Sequence, residues 1–196
     1  RMGSHRGWRE LEAGAARLGL LMFSPSEKVP AAPFFATPVA YHVVHVQVPQ
    51  ELPLTRLSVE QLAGFCGAAK AQPVRWGEAG VRGPWRARVV VPKVLAPERS
   101  LTATLFRHLV LKEGAFARSV KLHAEEGELL ASVPETAGAV ILSAAPLGPG
   151  VGYKTVAVAR RAGAGAVLPT PGNVHRGDYA LRWPVHLVMR RRDAQR

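Results

Sequence analysis

Short apolar segments that alternate with amphipathic ones constrain the fold of this 196-residue chain more than any other feature of its sequence. The segment 18–23 is short, apolar and closed by Ser24 and Pro25, which predicts a buried strand. Residues 58–67 and 100–114 instead carry apolar side chains at helical spacing. Strands that alternate with helices predict an α/β fold with a largely parallel sheet.

Local signals place the remaining elements. Ser58 and Gln61 form a capping box, and Leu57 and Leu62 occupy the positions of a hydrophobic staple, so a helix is expected to begin at Ser58. Further helices are predicted at 8–17, 101–113 and 125–133. Further strands are predicted at 39–48, 88–91, 139–143, 155–159 and 183–189.

The composition excludes several classes of protein. Hydrophobic residues make up 47% of the chain, which is too many for a disordered tail. The single cysteine, Cys66, excludes an internal disulfide framework and a cysteine-based metal cage, and its position on an apolar helix face predicts a core thiol. The longest apolar stretch is far shorter than the roughly 20 residues of a membrane span, and no secretory signal is recognised.

The chain carries 26 Lys and Arg against 14 Asp and Glu, a formal net charge of +12. Such a charge predicts an anionic partner, although a generally basic proteome would produce the same composition. No nucleic-acid-binding signature accompanies the charge, so no specific nucleic acid is expected as a partner. No phosphate-loop, nucleophile-elbow, zinc-protease or dinucleotide motif is present, and we therefore expect neither an enzyme nor a metal or cofactor.

A candidate anion site lies at the start of the helix predicted after Ser100. Arg99, Ser100 and Thr102 place a cation and two hydroxyls beside a helix N-terminus, whose free N–H groups and positive dipole end favour an anion. The alternative is that Ser100 is an ordinary N-cap, since serine is common at that position.

The order of several segments resembles a known family. Residues 57–65 and 74–80 resemble the "LS-x-EQL-x-GIF … TNW-x-E-x-G" passage of phosphate-type substrate-binding proteins of ABC transporters. Residues 100–106 are similar to the anion-binding turn of that family. Residues 133–140 and 177–185 resemble its later "PGAIGY" and "G-x-YPL-x-RPLY" segments.

The resemblance implies an α/β, two-lobed clamshell of the type 2 periplasmic-binding-protein kind, with mixed, mostly parallel sheets. One lobe would hold residues 1–50 and 156–196, and the other residues 51–155. The family begins with a strand, a glycine-serine loop and a helix for which this chain has no room, so the first lobe is expected to be incomplete. The edge of the strand 18–23 should then be covered by residues 1–5 or by another polypeptide.

The resemblance also implies a set of ligand-binding residues. Ser100 and Thr102 match the hydroxyls of the family's anion-binding turn, Glu98 stands where the family often has Asp, and Arg99 could substitute for the family arginine. Leu101 replaces the glycine of that turn and Ala96 the arginine. In the first lobe, Ser4 and Ser24 match hydroxyl positions.

Two functions follow as expectations. The first is a non-enzymatic solute-binding module that captures a small oxyanion between the lobes and delivers it to a membrane permease or a sensor. Phosphate is the expected ligand, ahead of sulfate, molybdate and tungstate, and the expected location is periplasmic or otherwise extracytoplasmic. The alternative is a degenerate solute-binding fold used as a structural or accessory subunit of a larger assembly, in an organelle if that reading holds.

Overall fold

The computed structural model describes residues 4–24, 27–69, 72–98, 100–133 and 136–193. The described helices are α1 (Ser4–Ala13), α2 (Val59–Cys66), α3 (Leu101–Leu109), α4 (Glu126–Ser132) and α5 (Pro171–Arg176). The described strands are β1 (Leu18–Leu21), β2 (Phe34–Val43), β3 (His45–Pro49), β4 (Arg56–Ser58), β5 (Val91–Leu95), β6 (Lys121–His123), β7 (Ala139–Ser143), β8 (Tyr153–Thr155), β9 (Ala157–Ala159), β10 (Ala166–Val167) and β11 (Arg182–Arg190). This mixed α/β architecture confirms the predicted fold class.

Two compact units make up the chain. Unit 1 comprises Arg1–His42 and Trp183–Arg196, and unit 2 comprises Val43–Arg182. Residues 43–50 and 156–182, which the resemblance assigns to the first lobe, belong to unit 2. The compact units therefore do not share the expected lobe boundaries, and the division of this chain into the lobes of that family stays a prediction.

Unit 1 is a three-stranded sheet with one helix. Its strand order is β1-β11-β2, and β1 runs antiparallel to β11 with Leu18 opposite Met189 and Leu21 opposite His186. The last strand thus pairs with the strand predicted at 18–23. The core on the α1 side of the sheet consists of Leu11, Leu21, Phe23, Phe34 and Val188.

Strand β1 is not the buried strand that its apolar sequence predicts. Leu18 is 55% exposed and Leu20 66%, whereas Leu21 is buried. The reason is that α1 covers only one face of the sheet, so alternate side chains of β1 face outward. Gly19 lies on the covered face, where a Cβ atom would approach Leu11 Cδ1 to 2.8 Å.

The outer edge of β1 has no strand partner in the described part of the chain. Residues 4 and 5 begin α1 and residues 1–3 lie outside the described ranges, so the expected cover of that edge by residues 1–5 or by another polypeptide stays a prediction. The Ser4 side chain lies at the end of the strand, where the Met22 N–H donates to Ser4 Oγ at 2.7 Å.

Unit 2 is built on a five-stranded sheet of order β6-β5-β7-β3-β8. Strand β5 runs parallel to both of its neighbours, whereas β3 is antiparallel to β7 and β8. A smaller sheet of order β10-β9-β4 completes the unit. Helix α3 follows β5 directly and packs against β5 and β7, which fixes the position of its N-terminus.

Three predicted strands differ most from those of the structure. The strand predicted at 88–91 begins at Val91 and continues through Pro92. Proline is tolerated there because pairing with β6 starts only at Lys93, so the missing N–H is not needed on that side. The predictions 39–48 and 155–159 each span two strands, which break at Val44 and Val156.

None of the helices in the described ranges combines the length and the apolar character needed to cross a membrane.

The cap of α2 leads to a first prediction. Ser58 Oγ accepts a hydrogen bond from the Gln61 N–H at 3.2 Å, and Gln61 Oε1 accepts one from the Ser58 N–H at 2.8 Å. Ser58→Ala should therefore lower the free energy of unfolding by about 1 kcal/mol. Urea unfolding would measure this loss. A Ser58→Ala protein as stable as the wild type would contradict the capping role.

The buried histidine of unit 1 leads to a second prediction. His186 packs on Phe23 with ring centroids 5.5 Å apart, and its buried Nδ1 has no hydrogen-bond partner within the described chain. Burial lowers the pKa of His186. The unfolded chain then takes up a proton at higher pH than the folded one, so stability should fall as the pH drops below about 6.5.

His186→Phe should remove this part of the pH dependence, because phenylalanine cannot take up the proton. Urea unfolding at about pH 7.5 and about pH 5.5 would compare the two proteins, with a smaller loss of stability expected for the variant. An equal loss in both would show that protonation of His186 does not oppose folding.

Candidate functional site

The candidate site lies at the carboxyl edge of the parallel part of the unit 2 sheet. Strand β5 is paired in parallel with β6 on one side and β7 on the other, so the three strands end at the same edge. In open α/β sheets, ligands bind outside the carboxyl ends of the strands. The loop that leaves β5 carries Glu98 and Ser100 and leads into α3.

Ser100 occupies the N-cap position of α3 without capping it. Its backbone is extended (φ −138°, ψ 123°), as an N-cap requires, but its side chain makes no capping hydrogen bond. The expectation that the Ser100 side chain caps the helix is therefore wrong. The side chains of Ser58 and Thr170, by contrast, cap α2 and α5.

The first turn of α3 receives no side-chain cap from Ser100. In any α-helix, the N–H groups of the first turn have no intrahelical acceptor. The first backbone hydrogen bond of α3 runs from the Thr104 N–H to the Ser100 carbonyl oxygen, at 3.4 Å. Ser100 is 6% exposed and Thr102 3%, so both hydroxyl-bearing residues are buried at this end of the helix.

Thr104 is a residue of this turn that the sequence reasoning missed. Its Oγ1 lies 3.4 Å from the carbonyl oxygens of both Ser100 and Pro97, and its single proton is shared between them or donated to one at a time. This contact engages carbonyl oxygens of the loop that would otherwise repel an anion. The spacing Ser100-x-x-x-Thr104 is the signal that could have found it, since a threonine hydroxyl in a helix often bonds to the carbonyl four residues back.

The remaining predicted site residues are distributed over both units. Glu98 is exposed in the loop before α3, and Arg99 lies outside the described residues. Ser4 and Ser24 belong to unit 1. Ser4 Oγ accepts from Met22, and the Ser24 N–H donates to Glu27 Oε2 at 2.6 Å. The structure therefore brings Ser100 and Thr102 together at α3, and leaves the role of the other four as a prediction.

A buried cation, Lys93, lies on β5 and was not singled out from the sequence. It is 3% exposed, and its Nζ donates to the Ser132 carbonyl oxygen at 2.5 Å and to Ser132 Oγ at 3.0 Å. These bonds attach α4 to the sheet. A lysine within an apolar strand is the sequence signal, but its partner lies 39 residues away and only the fold reveals it.

A cavity of about 670 Å³ lies elsewhere in unit 2, between β4, α2 and the turn at 161–164. Its lining carries charges of both signs, Arg56 and Arg161 together with Glu60 and Glu78. Hydrogen bonds from the Glu60 backbone N–H and the Ser58 hydroxyl lower the pKa of Glu60, and the nearby Arg161 adds to this effect. The lining therefore favours neither sign of charge.

Cys66 is fully buried, and burial raises the pKa of its thiol. A protonated, inaccessible thiol is a core side chain and not a nucleophile. Among the described residues, no cluster of three or more His, Cys, Asp or Glu side chains could hold a metal ion.

Comparison of the structure with solved structures reveals the same fold in substrate-binding receptors. An ABC-type phosphate transport receptor from Vibrio cholerae superposes with a TM-score of 0.69 at 18% identity, covering 96% of this chain and 72% of that one. A protein described as "a possible phosphate binding protein" from Planctomyces limnophilus gives 0.68 at 17% identity, covering 98% and 70%. PstS from Borrelia burgdorferi gives 0.67 at 14% identity, covering 96% and 73%.

Searches with protein-family models and against curated proteins find no match to this sequence. Identities of 14–18% show a shared fold and nothing finer. The chain therefore has the type 2 periplasmic-binding-protein-like fold seen in phosphate transport receptors, in a form shorter than theirs.

Proposed function

We propose that the protein is a non-enzymatic binding module for a small oxyanion, phosphate before sulfate, molybdate or tungstate, held at the N-terminus of α3. The observation that carries the proposal is that Ser100 occupies the N-cap position of α3 but makes no side-chain capping hydrogen bond. The Ser100 side chain therefore does not occupy a first-turn N–H group of α3, at a helix end whose N–H groups and dipole favour an anion.

The electrostatics of this position favour an anion. The dipole of the helix contributes about 0.3–1 kcal/mol to a negative charge at its N-terminus. Hydrogen bonds to a charged oxygen are shorter and stronger than those between neutral groups, more so where water is excluded, and both Ser100 and Thr102 are buried. The net charge of +12 attracts anions over longer distances.

Leu101 distinguishes this turn from that of the resembled family, where a glycine allows the backbone to approach the anion closely. In α3 the N–H of Leu101 is retained and only its side chain is added. We therefore propose that the backbone donors still bind the anion, with a lower affinity than a glycine would allow. Arg99 and Glu98 remain proposed members of this binding site, and the ligand-binding roles of Ser4 and Ser24, which belong to unit 1, stay predictions.

The fold supports this function and its setting. The matched protein from Vibrio cholerae is described as a phosphate transport receptor. By analogy, the present chain would act outside the cytoplasm and pass its ligand to a membrane permease. The second candidate, a structural or accessory subunit of a larger assembly, is favoured by a different observation, namely the exposure of Leu18 and Leu20 on the sheet of unit 1.

Isothermal titration calorimetry with phosphate, sulfate, molybdate and tungstate tests the proposal. Phosphate should bind saturably, and Ser100→Ala should weaken it about tenfold or more, because a hydrogen bond to a charged group is worth about 1.5–3 kcal/mol. Ser58→Ala is the matched control, since it removes a serine at the start of another helix of unit 2 whose hydroxyl is used as a cap.

The control should lose stability and keep its phosphate affinity. Ser100→Ala should keep its stability and lose phosphate affinity. A folded wild-type sample that gives no heat with any of the four anions would contradict the proposal and favour the accessory-subunit function. Equal weakening by Ser58→Ala and Ser100→Ala would place the anion somewhere other than α3.

A further inference from the structure

One face of the unit 1 sheet is apolar and open to solvent. We call it the open face; on it Leu18 is 55% exposed, Leu20 66%, Phe35 42% and Val39 51%. Leu18 and Leu20 share a side of the sheet with their partners Met189 and Leu187 on β11. Exposed apolar surface that spans several strands marks an interaction site in a protein that folds stably.

Strand alternation places Phe35 and Val39 on the same side as Leu18. Phe34 belongs to the core cluster with Leu21 and Val188, so Phe34 faces α1. Phe35, the next residue of β2, therefore faces the opposite side, and Val39 follows it by the period of two. The open face thus extends across all three strands, β1, β11 and β2.

The open face itself carries no charged side chain, but one end of it is basic. Arg17 precedes Leu18, and Leu18 pairs with Met189, so Arg191 and Arg192 lie at the same end as Arg17. Asp193 contacts Arg17 at 3.8 Å, and the Arg17 side chain is 72% exposed. Cations therefore outnumber this carboxylate at that end.

Arg190 does not contribute to the basic end of the open face. Its Nη2 donates to the Leu11 and Glu12 carbonyl oxygens, at 3.3 and 2.6 Å, and its guanidinium stacks over Phe34. All three contacts lie on the α1 side. One face of the sheet is therefore covered by α1 and Arg190, and the other face is apolar and exposed.

We propose that the open face docks an amphipathic helix of a partner polypeptide, whose apolar stripe covers Leu18, Leu20, Phe35 and Val39. Acidic side chains of that helix would lie opposite Arg17, Arg191 and Arg192. This docking is independent of the proposed oxyanion site, which belongs to unit 2.

The dimensions of the open face fit a helix. Phe35 and Val39 are four residues apart on β2, about 13 Å along the strand, which is the length of about nine helical residues. Three strands are about 10 Å wide between the outer two, close to the diameter of a helix of about 10 Å. A strand added to the edge of β1 would leave Phe35 and Val39 uncovered.

The charge favours a partner polypeptide over a second copy of this chain. Two copies would each bring a net charge of +12 to the interface, which opposes association.

A fluorescein-labelled, helix-stabilised peptide of about 15 residues tests the proposal by fluorescence anisotropy, with leucine at i, i+3, i+4 and i+7 and glutamates at one end. The wild-type protein should bind this peptide saturably. Leu20→Glu and Val39→Glu, on two different strands, should each weaken binding about tenfold or more. A peptide with lysine in place of glutamate should bind correspondingly more weakly.

Leu122→Glu is the matched control, because Leu122 is 48% exposed on β6 of unit 2. It should bind the peptide as the wild type does. Circular dichroism should show that all three variants remain folded, since each replaces an exposed side chain.

Four results would overturn the proposal. The first is no binding by the wild type, and the second is equal weakening by Leu122→Glu. The third is a wild-type dimer in light scattering that Leu20→Glu dissociates, which would assign the open face to a second copy. The fourth is co-sedimentation with phosphatidylserine vesicles that Leu20→Glu abolishes while the peptide does not bind, which would assign the open face to a membrane surface.

Discussion

The parallel pairing of β5 with both β6 and β7 is the constraint on which the rest of unit 2 depends. Parallel neighbours cannot be joined by a tight hairpin, so the chain must cross over between them. The crossover from β5 to β6 contains α3, and the one from β6 to β7 contains α4. The N-terminus of α3 therefore lies at the carboxyl edge of the sheet, and Lys93 bonds to Ser132 in the second crossover.

The sheets of the two units differ in how far they are covered, and this difference underlies the two proposals. Unit 2 buries the central strands of its sheet, and its Ile141 and Leu142 are almost fully enclosed. Unit 1 covers one face of its sheet and leaves Leu20 outward. The two proposed functions are compatible, because the proposed anion site lies in unit 2 and the open face in unit 1.

Local sequence signals predicted those features that depend on residues close together in the chain. The capping box of Ser58 and Gln61 and the helix at 125–133 are confirmed because their hydrogen bonds span one turn. The three-residue strand β6 and the helix α5 were missed because so few residues carry little periodicity. The displaced start of β5 depended on whether a second strand pairs beside Pro92, which is a tertiary property.

The candidate site was predicted in part for the same reason. Ser100 and Thr102 could be placed at a helix start from the sequence, because helix starts are locally encoded. Whether the Ser100 side chain caps α3 depends on the turn geometry, and the bonds of Thr104 to Ser100 and Pro97 appear only in three dimensions. The exposure of Leu18 likewise depends on what covers its sheet, and an apolar strand sequence carries no information about that.

Backbone amide chemical shifts during a phosphate titration test the central claim most directly. If the N-terminus of α3 binds the anion, the ¹H–¹⁵N signals of Leu101, Thr102 and Ala103 should shift saturably and by more than those elsewhere in unit 2. The signals of Val59 and Glu60, at the capped start of α2, should not move. Shifts spread evenly over the arginines, or larger at α2 than at α3, would contradict the account.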